Sequence, residues 1–324
     1  MRPTFKTLGK LWLGLVLAGL LAACQEGEVP ATRRQVALVA KSTETEFWRS
    51  VFAGAEAAAA EYNLELSIVG PETEEDYAAQ NEMVQEAVAQ GAEAIVFSAI
   101  DYENNAGAIE EAIRAGVRVV AIDSGVNADG VSTYIGTDNY AAGRQAAQAA
   151  LDAMAEDVKV GIVNFDVNSA NGQERERGAR EAFEESGRAE IVSVINTLAE
   201  AEDACEGTVA MLQDHPEMNA ILAFNEPTTV GAAQAVEQLG RTEEIWLVGF
   251  DSNVASVDAM QTGAVDALVV QNPYAMGYLG VESAYRLLAG QKADVPVLQD
   301  TETSTVTRET MFTLDSQKVL FAFE

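Results

Sequence analysis

Ala94-Ile95-Val96-Phe97-Ser98 and Val119-Val120-Ala121-Ile122-Asp123 are two short apolar runs, each stopping on one polar residue. A helical stretch and Gly116 lie between them. Runs this brief and unbroken read as parallel strands buried on both faces. Three more follow: Ala220-Ile221-Leu222-Ala223-Phe224 stops at Asn225, Ile245-Trp246-Leu247-Val248-Gly249-Phe250 at Asp251, and Ala267-Leu268-Val269-Val270 at Gln271. In open α/β sheets, ligands bind just beyond the carboxyl ends of the strands. Ser98, Asp123, Asn225, Asp251 and Gln271 are therefore candidate ligand contacts.

Around these runs, strand and helix patterns alternate. Strands are expected at residues 36–40 and 64–69, and helices at 46–62, 75–90 and 104–115. The first helix carries Phe47, Val51 and Ala55 on one face, and Gly91 and Gly116 sit where left-handed helix caps are wanted. A second series begins after Ile135-Gly136-Thr137-Asp138-Asn139. Helices at 140–155, 173–186, 204–214 and 253–262 alternate there with strands at 158–163 and 191–196 and the three later apolar runs. Pro227 opens one further helix, where its missing N–H costs little. A helix at 274–288 and some short strands close the chain. Such alternation means α/β architecture with two doubly wound parallel-sheet lobes, and roughly 300 residues suffice for two.

The amino terminus is set apart from the fold. Arg2, Lys6 and Lys10 precede an apolar stretch at 11–20, followed by Leu21-Ala22-Ala23-Cys24. That stretch falls short of the roughly 20 residues that a permanent membrane helix needs. It resembles a bacterial lipoprotein signal, which implies cleavage before Cys24, lipid on that cysteine, and a tether at 24–34. An ordinary cleaved signal with an incidental cysteine is the alternative. No later segment is long and apolar enough to cross a membrane.

The net charge of −31 becomes more negative by three once Arg2, Lys6 and Lys10 leave with the signal. Nucleic acid is then a poor partner, because phosphate binding needs a basic patch. Six lysines against fourteen arginines also suit a surface facing high salt, where screening relieves self-repulsion. Raising NaCl from about 0.05 M to about 2 M is expected to raise the unfolding midpoint, and a flat response would remove that reading. With Cys24 lipidated, Cys205 has no intrachain partner and reads as structural among its acidic neighbours. Dinucleotide and P-loop glycine motifs are absent. His215, the only histidine, sits at a helix end, so a serine triad or histidine-rich zinc site has little to work with. Neither cofactor nor metal is expected.

From Val36 onward the chain resembles the ribose/galactose-binding group of type I periplasmic binding proteins, which serve bacterial ABC importers. The resemblance rests on Lys41-Ser42-Thr43-Glu44-Thr45-Glu46-Phe47-Trp48, the strand ending at Asp123, and Ile135-Gly136-Thr137-Asp138-Asn139 with Ala142-Gly143-Arg144. Gln173-Glu174-Arg175-Glu176-Arg177-Gly178, Phe224-Asn225-Glu226, Val248-Gly249-Phe250-Asp251 and Val270-Gln271-Asn272-Pro273 continue it in order. LacI-type repressors share the fold but carry a DNA-binding motif where this chain has its signal. The resemblance implies three hinge crossovers, near Thr137, Gln271-Asn272 and Asp300-Thr301. One lobe would comprise 35–137 plus 272–300, the other 138–271 plus 301–324.

It also implies a sugar site. Carboxylates and amides that each engage two hydroxyls suit saccharides. Asp123 and Asp251 would accept, Arg175 would donate between them and keep both ionised, and Asn225 and Gln271 would do both. Phe47 and Trp48 would offer flat faces, with the indole N–H to spare, although Phe47 is also in phase with the core stripe. Thr45, Ser98, Ser124 and Asn171 complete the set. Ser124 stands where ribose binders have arginine, Thr45-Glu46 replaces Asn-Pro, and residues 196–202 lack an aromatic. Another pentose, a hexose, a cyclic polyol or a related signal molecule is therefore open. The expected function is an exported, lipid-anchored monomer that closes on the ligand and hands it to an ABC permease. Presentation to a chemoreceptor or histidine kinase is the first alternative. A glycosidase using Asp123 and Asp251 is a remote one.

Overall fold

The computed structural model describes residues 33–321. The signal segment, Cys24 and the tether up to residue 32 lie outside the described residues, as do 322–324. The first series runs β1 (Gln35–Val39), α1 (Glu46–Glu61), β2 (Glu65–Val69), α2 (Tyr77–Ala89), β3 (Ala94–Phe97), α3 (Ala106–Arg114), β4 (Arg118–Ile122) and β5 (Tyr134–Gly136). The second runs α4 (Asn139–Ala153), β6 (Val158–Asn164), α5 (Ala170–Ser186), β7 (Ala189–Asn196), α6 (Ala201–Asp214), β8 (Ala220–Ala223), α7 (Glu226–Gln238), β9 (Trp246–Phe250), α8 (Val254–Thr262) and β10 (Ala267–Val270). Then come α9 (Pro273–Leu288), β11 (Leu298–Asp300), β12 (Ser304–Thr307) and α10 (Leu314–Leu320).

Two six-stranded sheets result, ordered β11-β5-β4-β3-β1-β2 and β12-β10-β9-β8-β6-β7. All pairs are parallel except β10 with β12. β3, β8 and β10 are buried along their whole length, as strands covered by helices on both faces must be. Each sheet reverses direction of winding between its first and third strands, β1/β3 and β6/β8, which is where doubly wound sheets bind ligands. Gln80 fixes the first of these points. Its amide nitrogen donates to the carbonyls of Ala40 and Ser98, and its oxygen accepts from Ile100 N.

The chain passes between the sheets three times, after β5, after β10 and after β11. These passages are tied together: Thr137 Oγ1 donates to Gln271 Oε1 at 2.9 Å, and Thr301 N donates to the Gly136 carbonyl at 2.7 Å. Helix starts differ from the sequence reading where side chains intervene. Asp101 accepts from the backbone of Glu103 and Asn104, holding a turn that delays α3 to Ala106. Asp76 caps Ala79 N and starts α2 at Tyr77. β5 was read only as a crossover and is a short strand.

Glycines set the helix spacing in both lobes. A Cβ on Gly54 or Gly277 would overlap the backbone of α9 or α1 respectively; Gly143 and Gly178 have the same relation between α4 and α5. No helix among the described residues is long and apolar enough to cross a membrane.

Candidate ligand-binding site

Between the carboxyl edges of the two sheets lies a small, partly open cavity. Lys41, Thr45, Phe47, Trp48, Glu74 and Asp123 line it from the first sheet's side. Phe165, Asn171, Arg175, Asn225, Glu226, Pro227, Asp251 and Gln271 line it from the second. Residues far apart in the chain converge here because strand ends and helix starts of both sheets meet.

Asp123 and Asp251 occupy matching places, one residue beyond β4 and β9. Both have left-handed backbones, with φ of 55° and 69°. Aspartate tolerates this region better than most residues, and such strain marks sites where side-chain aim is specified. Asp123 accepts from Ser98 Oγ at 2.8 Å and from Asn171 Nδ2 at 3.2 Å, the latter reaching across from α5. Asp251 accepts from Gln271 Nε2 at 2.7 Å.

Arg175, fully buried, spreads its fork over three partners. Nε donates to Asn139 Oδ1, Nη1 to the Phe224 carbonyl and Nη2 to Gln271 Oε1 at 2.7 Å. Its guanidinium lies over the Phe250 ring, 4.5 Å from the centroid. On the opposite wall Lys41 Nζ pairs with Glu74 at 2.8 Å and donates to Ser169 Oγ. Asp123 accepts two side-chain hydrogen bonds and Asp251 one, fewer than a carboxylate can take, so the wall suits a ligand rich in O–H donors.

Burial acts on these acids more strongly than the arginine does. It pushes Asp251 up to about 7, with Arg175 and Gln271 opposing. Asp123 is also raised by burial, against Lys41 and Arg175, and so is Glu226. Arg175 offsets this only in part, because the guanidinium bonds to amides and a carbonyl and not to either carboxylate. A carboxyl held above its unfolded pKa adds stability that is present below about pH 4 and is lost as pH rises through about 7. The unfolding midpoint of ligand-free protein is therefore expected to fall between about pH 4 and 7. Asp251→Asn, which lacks that titration, is expected to show a flatter fall; an equal slope would refute the assignment.

A family model described as "Periplasmic binding protein domain" matches residues 36–292. The chain belongs to the periplasmic binding proteins. It is 29% identical over 293 residues to the D-ribose/D-allose-binding protein of Pseudomonas aeruginosa, covering 86% of this chain and 91% of that one. A carbohydrate transporter solute-binding protein from Agrobacterium radiobacter, in complex with D-arabinose, superposes with a TM-score of 0.85 at 25% identity, covering 89% and 99%. GanP, a glucose-galactose binding protein from Geobacillus stearothermophilus, gives 0.82 at 28% identity, covering 87% and 100%.

The sequence reading and the site of this periplasmic binding protein differ at several residues. Thr45, Phe47, Trp48, Asn171, Arg175, Asn225, Asp123, Asp251 and Gln271 line the cavity together. Ser98 and Ser124 are not among the lining residues. Ser98 has turned its hydroxyl to Asp123, and Ser124 is wholly buried behind the wall. Trp48 has no N–H to spare, since Nε1 donates to Glu74 at 2.9 Å. Phe47 and Trp48 each serve both the core and the cavity, packed edge to face at 5.3 Å. Lys41 and Phe165 were missed; the strand-end rule could have found Lys41, the polar residue that stops the run at 36–40, but not the apolar Phe165. Glu74 sits in an irregular loop with no such signal.

Proposed function

We propose that this chain captures a monosaccharide or related polyol between its two lobes and delivers it to an ABC importer. The observation that carries this is the facing pair of strand-end aspartates, Asp123 and Asp251, with the Arg175 fork between donor and acceptor amides. Sugar hydroxyls pair with such groups, and Phe47, Trp48 and Phe165 offer apolar faces to the C–H surface of a ring. D-ribose, D-allose and D-arabinose, the sugars for which those relatives are named or with which they are complexed, belong to the same chemical class.

In this reading Thr45, Phe47, Trp48 and Asp123 hold the ligand from the lobe of residues 35–137 plus 272–300. Asn171, Arg175, Asn225, Asp251 and Gln271 hold it from the lobe of 138–271 plus 301–324. The passages near Thr137, Gln271-Asn272 and Asp300-Thr301 serve as the hinge. Contacts available only when the lobes meet drive closure. The protein binds rather than transforms its ligand, works as a monomer, and is exported and anchored through lipid on Cys24.

A thermal-shift screen of D-ribose, D-allose, D-arabinose, D-galactose and cyclic polyols, with native mass spectrometry for copurified ligand, tests the proposal. At least one member is expected to raise the unfolding midpoint by several degrees, and Asp251→Asn to abolish that shift. No shift with any of them, and no copurified saccharide, would sink the reading.

A further inference from the structure

α1 begins with N–H groups at Glu46, Phe47 and Trp48 that have no partner inside the helix. Thr45 Oγ1, from the same lobe, accepts from Trp48 N at 3.4 Å. The other two point at Glu226, whose Oε1 accepts from Glu46 N at 3.2 Å and Oε2 from Phe47 N at 2.9 Å. Glu226 is the first residue of α7, a helix of the other lobe. Glu46, the first residue of α1, returns the arrangement: its Oε2 accepts from Val254 N, the first residue of α8, at 3.1 Å. Three helix starts are thus chained across the cleft, each carboxylate meeting the positive end of a helix from the opposite lobe.

We propose that Glu46 and Glu226 form a latch that holds the lobes shut and sets how fast a bound ligand is released. The proposal rests on the closure reading above. α1 packs on the first sheet, while α7 and α8 pack with the second lobe, so these bonds form only when the lobes meet. Opening returns the carboxylates and N–H groups to water. Glu226 also lines the ligand cavity, but Glu46 does not. Glu46 therefore reports on the latch without touching the ligand.

Two substitutions remove one bond from opposite ends. Glu46→Ala deletes the acceptor. Val254→Pro deletes the donor at the first helical position, where proline is tolerated. The preceding Asn253, at φ −60° and ψ 161°, already has the extended backbone that a residue before proline requires. The probe is whichever of D-ribose, D-allose and D-arabinose binds the unmodified protein tightest. Each single variant should speed its release about five- to tenfold, a charge-assisted hydrogen bond discounted for partial exposure. Association should change by less than about twofold, and the double variant should match either single one. Glu46→Gln, which keeps an acceptor, should retain most of the wild-type residence time. Unchanged release in both single variants, or effects that multiply in the double variant, would overturn the latch. If none of the three binds, the tightest binder of the wider screen above takes their place, and if that screen is empty the functional reading fails on its own. Small-angle scattering of ligand-free protein then decides the latch: a smaller closed fraction in both variants supports it, and equal fractions overturn it.

Discussion

Arg175→Ala is expected to lose saccharide binding by at least about a thousandfold, beyond detection in ordinary calorimetry. The reason lies in three hydrogen bonds made by one buried cation. Each bond to a charged group is worth about 1.5–3 kcal/mol net, and about 4 kcal/mol already means a thousandfold. Truncation strips a partner from Gln271, and Gln271 in turn donates to Asp251, so two ligand contacts lose their aim. It also leaves the Phe224 carbonyl and Asn139 Oδ1 without their donor. The unfolding midpoint should therefore fall too, which separates Arg175 from a residue that touches ligand alone. Arg175→Lys keeps the charge but not the planar fork, and should recover folding better than affinity. Calorimetry beside thermal unfolding checks both halves. A folded Arg175→Ala protein with affinity within about tenfold of the original would show that the site lies elsewhere.

Gly277→Leu is expected to have the largest effect on stability. α9 crosses α1 so closely that a Cβ at Gly277 would overlap the Val51 carbonyl, while Gly54 meets the Tyr274 carbonyl in return. Both obstacles are backbone, so no rotamer change relieves them. Even Gly277→Ala should cost about 3 kcal/mol or more, since overpacking of 1–3 kcal/mol assumes side chains that can yield. Leucine would force the two helices apart and strip cover from Val96 and Ile122, against which Gly280 on the same helix packs. Denaturant unfolding followed by circular dichroism should show the first lobe unfolding early and the transition broadening. An unchanged midpoint would mean that the helices slide apart without penalty.

The second lobe repeats the device with a functional result. Gly143 on α4 meets the Arg175 carbonyl, so the close approach of α4 and α5 is what brings that guanidinium into the cavity.

The strand ends were legible because burial on both faces leaves an unbroken apolar run, and the residue that breaks it marks the sheet's edge. That logic located Asp123, Asn225, Asp251 and Gln271. It gives position but not direction, which is why Ser98 was nominated although its hydroxyl serves Asp123. Glu74 and the cross-lobe bonds of Glu46 and Glu226 depend on tertiary proximity, and neither periodicity nor capping signals encode that. The fate of Trp48 was split for a related reason. One residue off the core stripe, it still reaches the core through Phe52, stacked at 6.2 Å. Ionisation was the hardest to foresee, because it turns on how deeply the aspartates are buried and where the guanidinium spends its N–H groups.

The three passages between the sheets also dictate an order of assembly. A chain emerging amino end first can build β6 to β10 as soon as residue 270 is free. The first lobe cannot close, because α9 and β11, its missing helix and edge strand, lie at 273–300. Until they arrive, the apolar groove of α1, β3 and β4 stands open, and its completion needs contacts spanning most of the chain, which form slowly and expose surface meanwhile. The second lobe waits in turn for β12 and α10, so each lobe is completed only by a segment made after most of the other.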